Sequence, residues 1–450
     1  MQIGYHACLP KGRPLRALLV AKRLLFVTYG GGHAHMVYPV VHALRQSAAF
    51  RSGLLDMQVL ALPAAIQAFR TRGLDCLSFK DFVDPLLDAA ALAWGVELAK
   101  IHHAPTAGVE YGDSVAYLGL CYQDLVERHG ETGAARLIAE RGRHAFFPVS
   151  VMERVFDRLQ TDFVVTTNSP RSEAAAIAVA NKRGMGTLAM TDLFTGLGGY
   201  LIKARNITFL NPTAQQMFLG DGLVDPSISS FYCTGNPAFD RIFERPCARN
   251  PMWMAAHFPQ VGARSVVLHA DMPAWWSPVL KRSYFKTDED TLTELQACHA
   301  ATLSNGAVYL VRPHPSQNRA LYQSWLKGRT DAFLAADCDL HELLSHTDLL
   351  LARTTTVGLQ ATLMHRRVLQ LEAALHPDLP LAAMGVAWGS RGMNHLPEEI
   401  GHALADEEGF TRILAQIRTQ LPAASAAFKI ADIILNKLCL PCEMHIGAME

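Results

Sequence analysis

Arg312-Pro313-His314-Pro315 sets a guanidinium and an imidazole at the end of an apolar run, Val308–Arg312. At the carboxyl end of a strand such a pair can grip a phosphate, and the flanking prolines limit how far the loop relaxes. Further on, Thr354, Thr355 and Thr356 follow the apolar run Leu349–Ala352 and precede a helical pattern beginning near Val357. Their hydroxyls can cap that helix, and its first N–H groups can hold a phosphate with help from the helix dipole. Gln360, about one turn into it, is placed to hydrogen-bond a ribose. Near the other end of the chain, Leu24–Tyr29 runs into Gly30, Gly31, Gly32 and His33, followed by Val37, Val40, Val41 and Leu44 at helical spacing. Glycines allow positive φ and close backbone approach, so this strand–loop–helix pattern can present N–H groups to an anion or polar ligand. His33 is the candidate general base. His269 closes another apolar run, Ser265–His269, and is a second candidate for proton transfer.

These groups need elements to hold them. Short apolar runs, among them Phe163–Thr167, Gly186–Met190, Ile207–Leu210, Phe231–Thr234 and Val368–Leu371, alternate with helical stretches such as Ser172–Lys182 and Val357–Met364. That alternation predicts α/β architecture: two Rossmann-like, doubly wound parallel-sheet lobes with a cleft between them at the carboxyl ends of the strands. The division reads as a lead-in over 1–22, an N-terminal lobe over 23–240 on the acceptor side, a linker over 241–264, a C-terminal lobe over 265–422 on the donor side, and a final helix and tail over 423–450. Residues 83–158 lack strand patterning and read as a helical insertion, one that can cover the mouth of the cleft. The last helix is expected to cross back to the first lobe.

Composition removes several classes of function. The 450 residues carry 41 Lys+Arg against 41 Asp+Glu, so no net field draws the chain to nucleic acid. No apolar run approaches the roughly 18 residues of a membrane span, and Lys22 and Arg23 cut the N-terminal apolar stretch too short for a secretory signal. The nine cysteines are scattered and odd in number, which fits reduced thiols and a cytoplasmic protein. Lys11, Arg13 and Arg16 leave room for peripheral contact with an anionic membrane face. Cys439-Leu440-Pro441-Cys442 has no second pair to complete a zinc site, and Asp288-Glu289-Asp290, with no strand read before it, is expected to be a solvated turn.

With these residues in hand, the chain resembles the GT-B superfamily of nucleotide-sugar enzymes. In motif order it is similar to the non-hydrolysing UDP-N-acetylglucosamine 2-epimerases and to bacterial surface-glycan transferases. The Gly30–His33 loop resembles the first-lobe glycine loop of the peptidoglycan lipid-intermediate N-acetylglucosaminyltransferase. Ile207–Thr213, then Thr234-Gly235-Asn236 and Asp240, resembles the epimerases' interdomain passage, and Thr354–Gln360 their phosphate- and ribose-holding segment. The departures favour transfer. Asn168 stands in Thr166-Thr167-Asn168-Ser169 where the epimerases carry an acid, Asp192 is the one carboxylate in Met190-Thr191-Asp192-Leu193, and Gln360 replaces a glutamate. Epimerisation by elimination needs several acids and bases around the sugar, whereas transfer needs a phosphate clamp and one base.

The resemblance thus implies a glycosyltransferase in polysaccharide synthesis, moving a sugar from a nucleotide-sugar donor to a glycan or lipid-linked acceptor. Arg312, His314, Thr354, Thr355, Thr356, Gln360, Asn236 and the loop Gly30–Gly32 would contact substrates. His33 would be the base, with Asp192 second and His269 as a further catalytic candidate; no metal or cofactor is called for. A 2-epimerase, a sugar-nucleotide hydrolase and a non-catalytic nucleotide-sugar-binding protein are the alternatives.

Overall fold

The structure, a computed structural model, describes residues 21–103, 108–194, 200–244, 248–277, 282–422 and 425–442. The lead-in up to residue 20 lies outside them. Strands β1 (Lys22–Thr28), β2 (Leu55–Ala61), β3 (Phe163–Thr167), β4 (Gly186–Met190), β5 (Asn206–Phe209) and β6 (Ser230–Cys233) form one sheet in the order β2-β1-β3-β4-β5-β6. All of its pairings are parallel. After it come β7 (Val266–Ala270), β8 (Ala274–Ser277), β9 (Arg282–Phe285), β10 (Val308–Arg312), β11 (Ala332–Leu334), β12 (Leu349–Ala352), β13 (Arg367–Gln370) and β14 (Trp388–Gly389). Six of these make a second sheet in the order β11-β10-β7-β12-β13-β14, again parallel throughout, while β8 and β9 form a separate antiparallel hairpin.

Both orders reverse direction once. In the first sheet the chain winds outward from β1 to β2 and then restarts at β3; in the second it winds from β7 through β10 to β11 and restarts at β12. Open parallel sheets bind ligands at that reversal, beyond the carboxyl ends of the strands. The two reversals therefore mark β1/β3 and β7/β12 as the places to look.

Strand alternation builds the layers. Leu24 and Phe26 of β1 face a core shared with Val37, Val41 and Leu44 of the helix Gly31–Arg45. Leu25 and Val27 point the other way, against Leu118, Leu120, Val155 and Phe156. Those four come from the helices Tyr111–Arg141 and Val149–Leu159, so the predicted insertion is helical and forms the covering layer on one face of the first sheet. Two glycines allow its main helix pair to touch: a Cβ on Gly95 would lie 2.1 Å from the Val115 carbonyl oxygen, and one on Gly119 2.1 Å from that of Ala91.

The region read as a linker is more ordered than its composition implies. Helix Asp240–Glu244 runs into it and helix Pro251–His257 lies within it, the second capped by the Asn250 side chain, and Arg249 pairs with Asp348 of the second lobe. The final helix, Ala426–Lys437, sends Ile430, Ile434 and Leu435 into the first-lobe core. Its start is held by Asp240, whose carboxylate accepts hydrogen bonds from Ala426 N at 2.7 Å, Ala427 N at 2.8 Å and Ser425 Oγ at 2.7 Å. Asp288, Glu289 and Asp290 also correct the reading from sequence. They open the helix Asp288–Leu303, directly after β9 and the cap Thr287, and Asp290 completes a capping box. No helix among the described residues is long and apolar enough to cross a membrane.

Candidate active site

At the first reversal, β1 ends at Thr28 and Gly30 takes φ 50°, a conformation glycine adopts without strain, to start the helix Gly31–Arg45. Gly31 and Gly32 form its first turn, with no side chain crowding Gly32. His33 follows, buried to 6% exposure. Its Nδ1 lies 2.7 Å from Thr167 Oγ1 at the end of β3, and that hydroxyl donates to Glu173 Oε1 at 3.1 Å. The same carboxylate oxygen accepts Tyr29 N–H at 2.7 Å.

This chain of contacts assigns the protons. A carboxylate can only accept, so the single Thr167 hydrogen is committed to Glu173. The Thr167 oxygen must then accept from His33 Nδ1–H, which leaves Nε2 with the free lone pair. Burial of the ring opposes its charged form, but the nearby Glu173 carboxylate, with Asp192 adding to it, outweighs burial and raises the His33 pKa above the ordinary 6.5. An oriented imidazole with an elevated basicity is what proton abstraction needs.

Asp192 lies just beyond β4, and burial raises its pKa against the opposing pull of His33 and Asn236. Asn236 was expected to touch the donor. Its carboxamide is instead engaged inside the first lobe, donating to Asp192 O at 2.6 Å and Oδ1 at 3.2 Å while accepting from Ala238 N at 2.9 Å. The short helix that follows needs that cap, so the residue positions Asp192.

The second reversal holds a buried ionic cluster. His269 lies next to the end of β7, with Nδ1 2.7 Å from the Tyr309 hydroxyl and Nε2 3.1 Å from Glu294 Oε1. Glu294 also receives Arg353, which follows β12, at 2.9 Å, and Arg353 pairs with Glu372. Although burial alone would raise Glu294, the His269 hydrogen bond and the charges of Arg353 and Lys286 hold its carboxyl well below the usual range. His269, Asp271 and Glu294 come close enough to suggest a cation site. Lys286 already stands there, its Nζ 2.6 Å from Asp271 and 3.3 Å from Glu294, so the ammonium supplies the positive charge. Both ring nitrogens of His269 are thus engaged, which makes it a part of this framework more than a free base.

The predicted phosphate-holding residues surround the same edge. His314 is exposed beyond β10, its Nδ1 2.8 Å from Ser316 Oγ, and partial desolvation lowers its pKa. Arg312 is more constrained than its motif implied: Nη1 donates to the carbonyls of Ala335 at 3.0 Å and Cys338 at 2.8 Å, tying down the loop after β11. Thr355 caps the helix Thr356–Leu363 by accepting Val357 N–H at 3.3 Å, so capping explains one threonine of the three. Thr354 Oγ1 approaches Met272 Sδ at 3.3 Å, Thr356 is exposed, and Gln360 is half-buried in the helix.

Sequence reasoning missed Thr167, Glu173, Lys286, Glu294 and Arg353. Glu173 left one faint signal, a lone acid in the first turn of an alanine-rich helix. A cavity of about 250 Å³ lined by Arg249, His365, Arg366 and Arg367 sits at the amino ends of β7, β12 and β13, away from both reversals.

No protein-family model matches the chain, and no curated protein does. Solved structures do match. The UDP-GlcNAc 2-epimerase of Neisseria meningitidis, determined with UDP-GlcNAc bound, is similar over 93% of this chain and 99% of its own, at 12% identity and a TM-score of 0.56. CalG4, the calicheamicin glycosyltransferase, is similar over 93% and 98%, at 12% identity and a TM-score of 0.53. A glycosyltransferase from Rickettsia africae is similar over 93% and 99%, at 10% identity and a TM-score of 0.52. At such identities the likeness is one of fold: the chain has the two-lobe GT-B architecture of these structures.

Proposed function

We propose that this protein is a glycosyltransferase that moves a sugar from a nucleotide-sugar donor to a glycan or lipid-linked acceptor, with His33 as the base. The observation that carries this reading is the Glu173–Thr167–His33 relay, which leaves Nε2 free beside the glycine loop. In the reaction the acceptor hydroxyl gives its proton to His33 Nε2 as its oxygen bonds to the anomeric carbon of the donor. The bond from that carbon to the phosphate oxygen breaks, and the nucleotide leaves with the electron pair. In the second lobe, the first N–H groups of the helix Thr356–Leu363, the Thr354 and Thr356 hydroxyls and His314 stabilise the leaving phosphate, while Gln360 meets the ribose. Arg312 contributes through the loop it anchors and through its charge.

Epimerisation is the second reading, and Asp192 favours it: a half-buried acid of raised pKa near His33 gives two candidate proton-transfer groups on one edge. The likeness to the Neisseria epimerase supports it equally in fold. Replacing His33 tests the base directly. His33→Ala is expected to retain nucleotide-sugar affinity within a few-fold and to lose about two to four orders of magnitude in transfer rate, as removal of a general base does. A variant with undiminished turnover would remove His33 from the chemistry.

A further inference from the structure

We infer that the turn from β3 into the helix Ser172–Lys182 is a binding site for neighbouring hydroxyls of a saccharide, and that the acceptor is therefore a sugar. Its role as the acceptor site rests on the transferase reading; the chemistry of the site comes from the turn itself.

Five consecutive steps of this turn, apart from Pro170, carry buried polar atoms with no hydrogen-bond partner. They are both side-chain atoms of Asn168, Ser169 Oγ, Arg171 Nε, Ser172 Oγ and Glu173 Oε2. Asn168, Ser172 and Glu173 are 0% exposed and Ser169 is 2% exposed. Buried polar groups in folded proteins are nearly always paired, and each unpaired one weakens the fold. A run of them beside the proposed base marks a place where stability is given up for binding. The helix is eleven residues long and its N-terminus faces the same turn. His33 and Arg171 border the turn at 6% and 7% exposure, with the Arg171 guanidinium 3.9 Å above the Tyr29 ring.

The identity of the unpaired atoms selects the ligand. Asn168 Nδ2 and Arg171 Nε can only donate; Asn168 Oδ1 and Glu173 Oε2 can only accept; the two serine hydroxyls do either. A phosphate or sulfate has no proton to offer Glu173, and it would lie against a carboxylate. A metal cation would lie against Arg171. A lipid chain would satisfy none of these groups. Sugar hydroxyls donate and accept at once, and a neighbouring pair can bridge Glu173 Oε2 to Arg171 or Asn168. A third hydroxyl of the same ring would then stand toward His33, since Glu173 serves both the turn and the relay.

Ligand-observed NMR and thermal shifts on the full chain test this, with methyl glycosides of glucose, galactose, mannose and N-acetylglucosamine, and inorganic phosphate as the anionic control. At least one glycoside is expected to bind and raise Tm, and phosphate is not. Asn168→Ala removes no internal hydrogen bond, so its ligand-free Tm stays level or rises, yet that glycoside should bind about tenfold more weakly or worse. Ser169→Ala provides the same comparison should the first variant misfold. The site is refuted if no glycoside binds at millimolar concentration, if both variants bind as well as the parent, or if phosphate binds in the sugar's place; ordered water alone would then account for the unpaired atoms. Transfer measured on the same samples separates the two claims. Sugar binding without transfer leaves the site and removes the transferase reading, whereas His33-dependent transfer to a non-saccharide acceptor does the reverse.

Discussion

Glu173 reaches His33 through a single hydroxyl, and the energetics of that contact give a pH signature. Activity requires the unprotonated Nε2, so the rate should climb with pH through a value above 6.5, the direction in which Glu173 and Asp192 move the ring. Glu173→Gln removes the nearest negative charge while keeping the side chain's shape. Its acidic limb should move to lower pH, and its plateau should fall about tenfold or more because the tautomer is no longer enforced. The stability consequence has a definite sign. A histidine whose folded pKa is raised contributes stability that is fully present below its unfolded value and fades as pH rises through the folded one. The variant should therefore lose more stability at pH 5 to 6 than at pH 9, relative to the parent, in thermal scans at about those two conditions. An unshifted limb would show that Glu173 does not act on His33.

At the scale of elements, the last helix is tied to the first lobe by more than its apolar face. Asp240 caps a helix that begins about 185 residues later, as its contacts with Ser425, Ala426 and Ala427 record. Gly235, at φ 95°, lets the chain pass there, because a Cβ would lie 3.0 Å from Pro422. Asp240→Ala should cost about 1–2 kcal/mol, the range for losing a good N-cap, and should loosen the last helix from the first-lobe core. Hydrogen exchange over 426–437 would register the change; unaltered protection would mean the apolar face alone holds the helix. That face was readable in the sequence because apolar residues recur with helical period, and so were β1, the glycine turn and the strand–turn–helix around Thr354. Asp240 itself was noted only for its resemblance to an interdomain passage. Glu173, Glu294, Lys286 and Arg353 were not readable as partners, since what pairs them is the folding of distant segments, and no local period encodes it. The hairpin of β8 and β9 was missed for a related reason: its two strands lie on no parallel sheet and follow no strand–helix alternation.

The whole molecule places one chemical group at each reversal of its sheets. The first carries the proposed base, His33, and the second carries a closed ionic framework at the ends of β7 and β12 beneath the proposed phosphate site. Transfer uses such a division directly, with the acceptor on one edge and the donor on the other. Epimerisation would instead require that groups reach carbon 2 of the donor sugar itself, and the sequence resemblance sets Asn168 where an acid would be expected. Incubation with UDP-N-acetylglucosamine alone in deuterated water tests this most directly, at enzyme levels where binding of that nucleotide sugar is demonstrated. The expected result is no deuterium at carbon 2 and no epimer, with at most slow hydrolysis of the donor. Deuterium appearing at carbon 2, with the epimer accumulating, would contradict the transferase reading and assign His33 and Asp192 to proton transfer at the sugar ring.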